Sequence, residues 1–328
     1  MVQNVAPLVR ELDPEDFYLL SGVEHGMRFS EWVQREKLPG YAGLTPEETD
    51  YRLGRALDRD LVERRTIQYE GFKLSFEGYD ALALRAFAER DTVQGVGAPL
   101  GVGKESDVYE AQGQVDATGA DGGATADGDA TADGETADGG RPLALKFHRE
   151  GYTNFREVHR ERDYTSEKAH VSWMYTARKA AEREYEALQA LAPTVAVPEP
   201  IDQNRHAVVM AKMPGHELAR TRLEPDQVVG VLDMILAELA AAYEAGFVHA
   251  DVSEYNVFVS ERGPTVFDWP QAVPTEHENA RELLGRDVRN VLGYVRRKYP
   301  RSVEDVDAAA VADAVADGSF ETVDAHRG

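Results

Sequence analysis

The ten residues Phe247-Val248-His249-Ala250-Asp251-Val252-Ser253-Glu254-Tyr255-Asn256 constrain this chain more than any other stretch. They set an Asp and an Asn five residues apart, directly after a hydrophobic run. A second carboxylate, Asp268, ends another apolar run, Thr265-Val266-Phe267. That order suits phosphoryl transfer: Asp251 would orient the attacking oxygen, and Asn256 with Asp268 would hold Mg²⁺. An H-x-D-x-x-x-x-N spacing is weak in isolation, so its weight rests on what precedes it.

Upstream, Gly101-Val102-Gly103-Lys104-Glu105-Ser106-Asp107-Val108-Tyr109 reads as a glycine-rich turn entering a strand. Glycine lets backbone approach phosphate oxygens because no Cβ intervenes. A Walker A loop is excluded, since Ala98 stands where its first glycine is needed and Glu105 follows Lys104. The pattern is instead G-x-G-x-x-G-x-V with Ser106 at the third glycine, and an ordinary hairpin turn is the alternative. Lys146 lies in the strand-like run Leu143-Ala144-Leu145-Lys146-Phe147. Burying its ammonium requires anionic partners such as phosphates and a helix carboxylate; an edge-strand lysine with its head in water is the other reading.

Residues Trp173 to Leu191 place Ala177, Ala181, Glu184 and Leu188 on one helical stripe. Glu184 is therefore the carboxylate that would pair with Lys146, whereas Glu182 and Glu186 fall on solvated faces. A buried-type strand, Ala207 to Ala211, runs on through Lys212 and Met213 to a turn at Pro214-Gly215. A long helix is expected over Leu223–Ala245, with Pro225 in its first turn and Gly246 as its stop. It delivers the chain into the Asp/Asn loop.

Taken in order, these signals identify a family. Gly103-Lys104-Glu105-Ser106-Asp107-Val108-Tyr109, the loop from His249 to Asn256, and Phe267-Asp268-Trp269-Pro270 resemble the RIO atypical serine/threonine protein kinases. Val171-Ser172-Trp173-Met174-Tyr175 and Arg286-Asp287-Val288-Arg289-Asn290 resemble its second branch, which carries an N-terminal winged helix. The resemblance implies an α+β chain, a winged helix followed by a compact bilobal kinase-like domain with Mg²⁺-ATP (or Mn²⁺-ATP) between the lobes. It implies Asp251 as catalytic carboxylate, Asn256 and Asp268 as metal ligands, and Lys146 paired with Glu184. Gly101, Gly103, Lys104 and Ser106 would line the phosphate loop, and the Ala211 carbonyl and Met213 amide would meet adenine. His249 would brace the loop against the Asp268 segment. Ala250 and Trp269 depart from the family's usual Gly and Phe, and neither departure is expected to matter much. No A-P-E signature follows Asp268, and little chain is left for a peptide-docking shelf. The family's association with small ribosomal subunit maturation then makes pre-ribosomal RNA or the subunit itself the expected partner, with ATP turnover as a switch. The contrasting reading is a nucleic-acid-binding winged-helix regulator on an inert nucleotide fold.

Residues 1–92 read as the winged helix, 93–300 as the kinase domain and 301–328 as an acidic tail with a terminal helix. Helices are expected over Pro14–Gly22, Phe29–Lys37 and Pro46–Arg55, with another from about Leu53 to Arg64. A hairpin across Glu70-Gly71 follows, and Arg52, Arg55, Arg59, Arg64, Arg65 and Lys73 are its candidate nucleic-acid contacts or merely solvated charges.

The net charge of −23 sits oddly with an RNA partner. Part of it resides in Gly113–Gly140, an Ala/Asp/Gly/Thr repeat with too little apolar surface to order itself. The remainder suggests an archaeal, halophilic cytoplasm, where molar salt shortens the Debye length to ~3 Å. RNA contact would then depend on local cation–aromatic stretches such as residues 146–168, within which Thr165 and Ser166 are candidate autophosphorylation sites. The chain has no cysteine, no membrane-length apolar run and no secretory pattern, which favours a cytoplasmic location, and its histidines lack zinc-ligand spacing.

Overall fold

A computed structural model describes residues 2–114, 140–149 and 173–327. They fall into two compact units, one of Met1–Thr176 with Asn204–Ala207, the other of Ala177–Gln203 with Val208–Gly328. The expected boundary at residue 92 lies inside the first unit. Positions 115–139 of the acidic repeat, and the loop containing Thr165 and Ser166, lie outside the described residues. Among the described residues, no helix is long and apolar enough to cross a membrane.

The first unit opens with helices α1 (Val2–Glu11) and α2 (Pro14–Gly26), strand β1 (Val33–Gln34), then α3 (Leu38–Ala42) and α4 (Pro46–Asp58). Strands β2 (Val62–Arg65) and β3 (Gly71–Leu74) and helix α5 (Phe76–Glu89) complete the winged helix. Its sheet has the order β1-β3-β2.

Two expected helices are absent. Residues Phe29–Lys37 form a turn, a strand and a short 3-10 turn, because Val33 pairs with Phe72 across the sheet. Trp32 sits under Arg65 and Lys73, whose charged groups lie 4.9 and 4.7 Å from its ring. Gly26 permits this approach, since a Cβ there would come within 2.6 Å of Val33. A helix running on to Arg64 is interrupted at Asp60, which takes a left-handed φ of 55°, and Val62 then pairs with Leu74. Propensity favoured helix in both segments, and strand pairing overrode it. The α4 arginines are largely satisfied internally: Arg52 donates to Asp13, Asp16 and Glu48, and Arg55 to Asp16. Arg64 pairs with Glu70 and Lys73 with Glu63.

The unit continues as a meander, β4 (Gly95–Val102), β5 (Ser106–Gly113) and β6 (Arg141–His148). Lys146 to Arg149, the start of the expected RNA-facing stretch, are all buried. Around Arg149 a polar cluster forms. Its guanidinium donates to both Asp80 oxygens at 2.8 Å and to Asp107 at 2.9 Å, while His206 Nε2 lies 2.8 Å from Asp80. Burial alone would raise the Asp80 carboxyl, but the Arg149 charge and the bonds from His206 and Arg149 hold its pKa at about 2. Burial pushes the His206 imidazole down to about 4, against the pull of Asp80.

The second unit contains α6 (Trp173–Leu191, from Ala177 onward), strands β7 (Pro200–Asn204, to Gln203) and β8 (Ala207–Ala211, from Val208), and β9 (His216–Glu217). Helix α7 (Val228–Glu244) begins five residues later than expected, after turns at residues 225–227. Next come β10 (Phe247–Val248), β11 (Val257–Ser260), β12 (Gly263–Val266) and β13 (Val273–Pro274). Helices α8 (Ala280–Lys298) and α9 (Ala308–Ala316) close the unit, α9 being capped by Asp307. Its core is built from α7 and α8, with Leu232, Ile235, Leu236, Val288 and Leu292 buried.

A histidine held neutral in the fold refuses a proton that the unfolded chain accepts below about pH 6.5. Its contribution to stability is therefore complete above that pH and is lost as pH falls toward 4. Urea unfolding between pH 7 and 4.5 is expected to show stability falling on acidification, with a shallower fall in His206→Gln, whose amide still donates to Asp80.

Candidate active site

The second unit gathers one half of the expected residues. Phe247 and Val248 pair with Pro274 and Val273, so the chain leaves β10 anchored, and then turns through Ala250 into Asp251. Ala250 adopts φ 66°, a left-handed conformation that costs a residue with a Cβ ~1–2 kcal/mol. A glycine at this position would be free of that cost.

Helix α8 holds this turn. Asp287, fully buried, accepts from the Ala250 N–H at 2.8 Å and the Val252 N–H at 3.1 Å. Arg286 donates to the Ala250 carbonyl and Asn290 to the Val252 carbonyl. The backbone on both sides of Asp251 is thus fixed, while its carboxylate side chain stays exposed. Burial raises the Asp287 pKa, with His249, the two backbone bonds and Arg286 opposing the rise.

Asn256 and Asp268 are brought together by a hairpin. Val257 pairs with Val266, and the Phe267 N–H donates to the Asn256 carbonyl at 3.0 Å, so both residues stand at one end of β11-β12. The Asn256 amide nitrogen donates to the Asp251 carbonyl at 2.8 Å, so its oxygen is the atom that could ligate a metal. Asp268 takes φ 69°, a conformation that Asp tolerates better than most residues. Its neighbour Trp269 is fully buried and donates its N–H to Glu184 at 3.3 Å. Glu184 on α6 therefore steadies the Asp268 turn, a contact the sequence did not suggest. His249 lies between these parts. Its Nε2 is 2.9 Å from the Phe267 carbonyl, its Nδ1 accepts from the Asp251 N–H, and its ring packs on Trp269 at 4.5 Å. These partners suit a proton on Nε2, which can then donate to the Phe267 carbonyl.

Among the described residues, no group of three or more His, Asp or Glu side chains is placed to hold a metal. One amide oxygen and one carboxylate nonetheless fit Mg²⁺, which commonly takes one or two protein ligands and completes its shell with phosphate and water.

The first unit holds the other half. Gly101 lies opposite Val108, and Val108 opposite Lys146, so glycine-rich strand and lysine fall on one rank across β4-β5-β6. Lys146 is buried, Lys104 is exposed, and the Gly103 N–H donates to the Ser106 carbonyl to close the turn. A Cβ built on Gly101 meets no protein atom within 4 Å, so the missing side chain leaves room over the loop rather than permitting internal packing. Back in the second unit, Ala211 ends β8 and spends its N–H on the Glu199 carbonyl, so only its carbonyl is left to contribute to a base; Met213 follows, half-buried.

Asp287 falls in a stretch already noted for its resemblance, but its hold on the Ala250–Val252 turn was not anticipated. An acidic residue among the buried positions Leu284, Val288, Val291 and Val295 was the available signal, of the same kind that singled out Glu184. In Asp287→Asn one loop N–H keeps an acceptor and the other meets an NH₂ group. Loss of ~1–3 kcal/mol in urea unfolding is expected, with turnover reduced at unchanged nucleotide affinity.

Residues 127–309 match the RIO domain family, and residues 9–90 match the Rio2 N-terminal domain. The RIO-type serine/threonine-protein kinase Rio2 of Methanocaldococcus jannaschii is 38% identical over 284 residues, 85% of this chain and 95% of that protein. Serine/threonine-protein kinase RIO2 of Caenorhabditis elegans is 34% identical over 91% of this chain, which spans only 52% of the longer nematode protein. Among solved structures, the Rio2 kinase-ADP/Mg²⁺-phosphoaspartate complex from Chaetomium thermophilum matches with a TM-score of 0.76 at 26% identity, covering 98% of this chain and 92% of that one.

Proposed function

The chain belongs to the RIO-type serine/threonine protein kinases, in their Rio2 branch, and from that premise we propose that it binds Mg²⁺-ATP and transfers or releases the γ-phosphoryl group at Asp251. The observation carrying this reading is the clamped loop, in which Asp251 projects from a backbone bonded on either side to Asp287 while Asn256 and Asp268 share one hairpin end. The Asp251 carboxylate accepts a hydrogen bond from the attacking hydroxyl or water and so aims its lone pair. Lys146 and Lys104 offset phosphate charge, and the Gly101–Ser106 loop offers backbone N–H groups and the Ser106 hydroxyl. Ala211 and Met213 present backbone to adenine. Bound Mg²⁺, held by Asn256 and Asp268, would neutralise charge on the phosphate oxygens. Glu184 and His249 position the Asp268 turn.

A second acceptor is favoured by the phosphoaspartate in the related Chaetomium thermophilum complex. In that variant Asp268 takes the phosphoryl group transiently, giving an acyl phosphate that hydroxylamine cleaves. In the same reading the biological partner is the small ribosomal subunit precursor or its RNA, met through the winged helix and the loop beyond Arg149. Nucleotide turnover would serve as the release switch.

With γ-labelled ATP and Mg²⁺ in high-salt buffer, wild type is expected to yield free phosphate, protein-bound label or both. Asp251→Ala should lower the total by ~100-fold or more while still binding nucleotide. Equal turnover by that variant would sink the assignment, and hydroxylamine-labile label lost in Asp268→Asn would identify the acyl phosphate.

A further inference from the structure

Arg149 lies one residue beyond β6 and three beyond Lys146, yet none of its bonds serves the sheet ladder. Its backbone N–H donates to the Glu105 carbonyl at 2.7 Å, inside the glycine-rich turn. Its Nε donates to Asp107 at 2.9 Å, one residue past Ser106. Its two terminal nitrogens reach the other way and grip both oxygens of Asp80, at 2.8 Å each, on helix α5 of the winged helix. The guanidinium carbon stands 5.5 and 5.4 Å from the ring centres of Phe76 and Phe147, so the fork is flanked by aromatic rings as well as bonded. His206 adds a contact to Asp80, and neighbouring Arg205 repeats the theme by gripping Glu24 of α2 at 2.8 and 3.0 Å.

The turn itself has one internal bond, Gly103 N–H to the Ser106 carbonyl, and residues 101–105 are exposed. Left to that bond alone, a glycine-rich turn samples many conformations and loses entropy when a phosphate orders it. Arg149 supplies what the turn lacks, two bonds on its far flank anchored in a rigid helix.

We propose that Arg149 is a positioning residue that fixes the glycine-rich loop against the winged helix, making that domain part of the nucleotide-binding apparatus. The proposal rests on the reading of Gly101–Ser106 as the phosphate loop. Holding the loop in its binding shape lowers the entropic cost of binding nucleotide and leaves the Asp251 step untouched. Loosening the strut should therefore weaken nucleotide affinity while sparing turnover at saturation. A merely structural role would do the reverse, reducing the active fraction and leaving KM alone.

Arg149→Lys retains a cation but cannot make the three-way fork, and Asp80→Asn retains shape while removing the charge that the fork grips. Each variant is expected to raise the Kd for Mg²⁺-ATP and the KM for ATP about tenfold, with kcat changed less than twofold and cooperative melting preserved. A folded variant with wild-type Kd overturns the strut. In the wild type, amide exchange with and without a non-hydrolysable ATP analogue decides independently of variant folding. Protection appearing at Glu105–Val108 and around Asp80 together supports the coupling, and protection confined to the loop overturns it. Wild type that binds no nucleotide would overturn the phosphate-loop reading and the strut with it, whereas unchanged variants of a nucleotide-binding wild type would sink the strut alone.

Discussion

One buried carboxylate, Asp287, is the constraint on which the second unit's chemistry depends. Isolated in an apolar helix stripe it would be costly, and ordinary burial drives such a group toward neutrality. Here it accepts from two backbone N–H groups two residues apart, those of Ala250 and Val252. Those donors would themselves be stranded without it, because a left-handed residue at 250 removes them from any strand ladder. Loop and helix thus satisfy each other, and Asp251 is presented outward as a consequence of where its neighbours must bond.

The same logic recurs at Glu184 and Arg149. The Glu184 carboxylate accepts from the Trp269 N–H, and the Arg149 guanidinium bonds Asp107 beside the glycine-rich turn while its backbone N–H donates to the Glu105 carbonyl. Buried charges are weak contributors to net stability but strong specifiers of geometry when their partners are fixed. Functional loops are low in stability by necessity, and here three charged side chains anchored on regular elements or beside them restrain the three loops that the chemistry needs.

The candidate site was proposed from residues whose chemistry surface or core roles do not explain. The Asp251–Asn256 spacing and the Glu184 stripe required only local pattern, and α6 runs from Trp173 to Leu191 as its periodicity indicates. What escaped were interactions whose two ends lie far apart in sequence. Asp287 serves residue 250, Arg149 serves residue 80, and Val33 pairs with Phe72, separations over which no window of periodicity carries information. The winged helix suffered most, since short strands beside helix-favouring residues are decided by pairing rather than propensity.

A net charge of −23 and an anionic ligand are reconciled by distance. Charges more than a Debye length away, ~8–10 Å at ordinary ionic strength, are screened, so the global excess of acid acts mainly on solubility and long-range approach. Within the site, only groups at contact range decide. The α4 arginines illustrate the opposite use of the same rule, because Arg52 and Arg55 are consumed by Asp13, Asp16 and Glu48 and offer little field to a distant polyanion. Lys104, exposed in the glycine turn, is not so consumed among the described residues. The acidity of this chain is thus compatible with phosphate chemistry because carboxylates beyond contact range are screened.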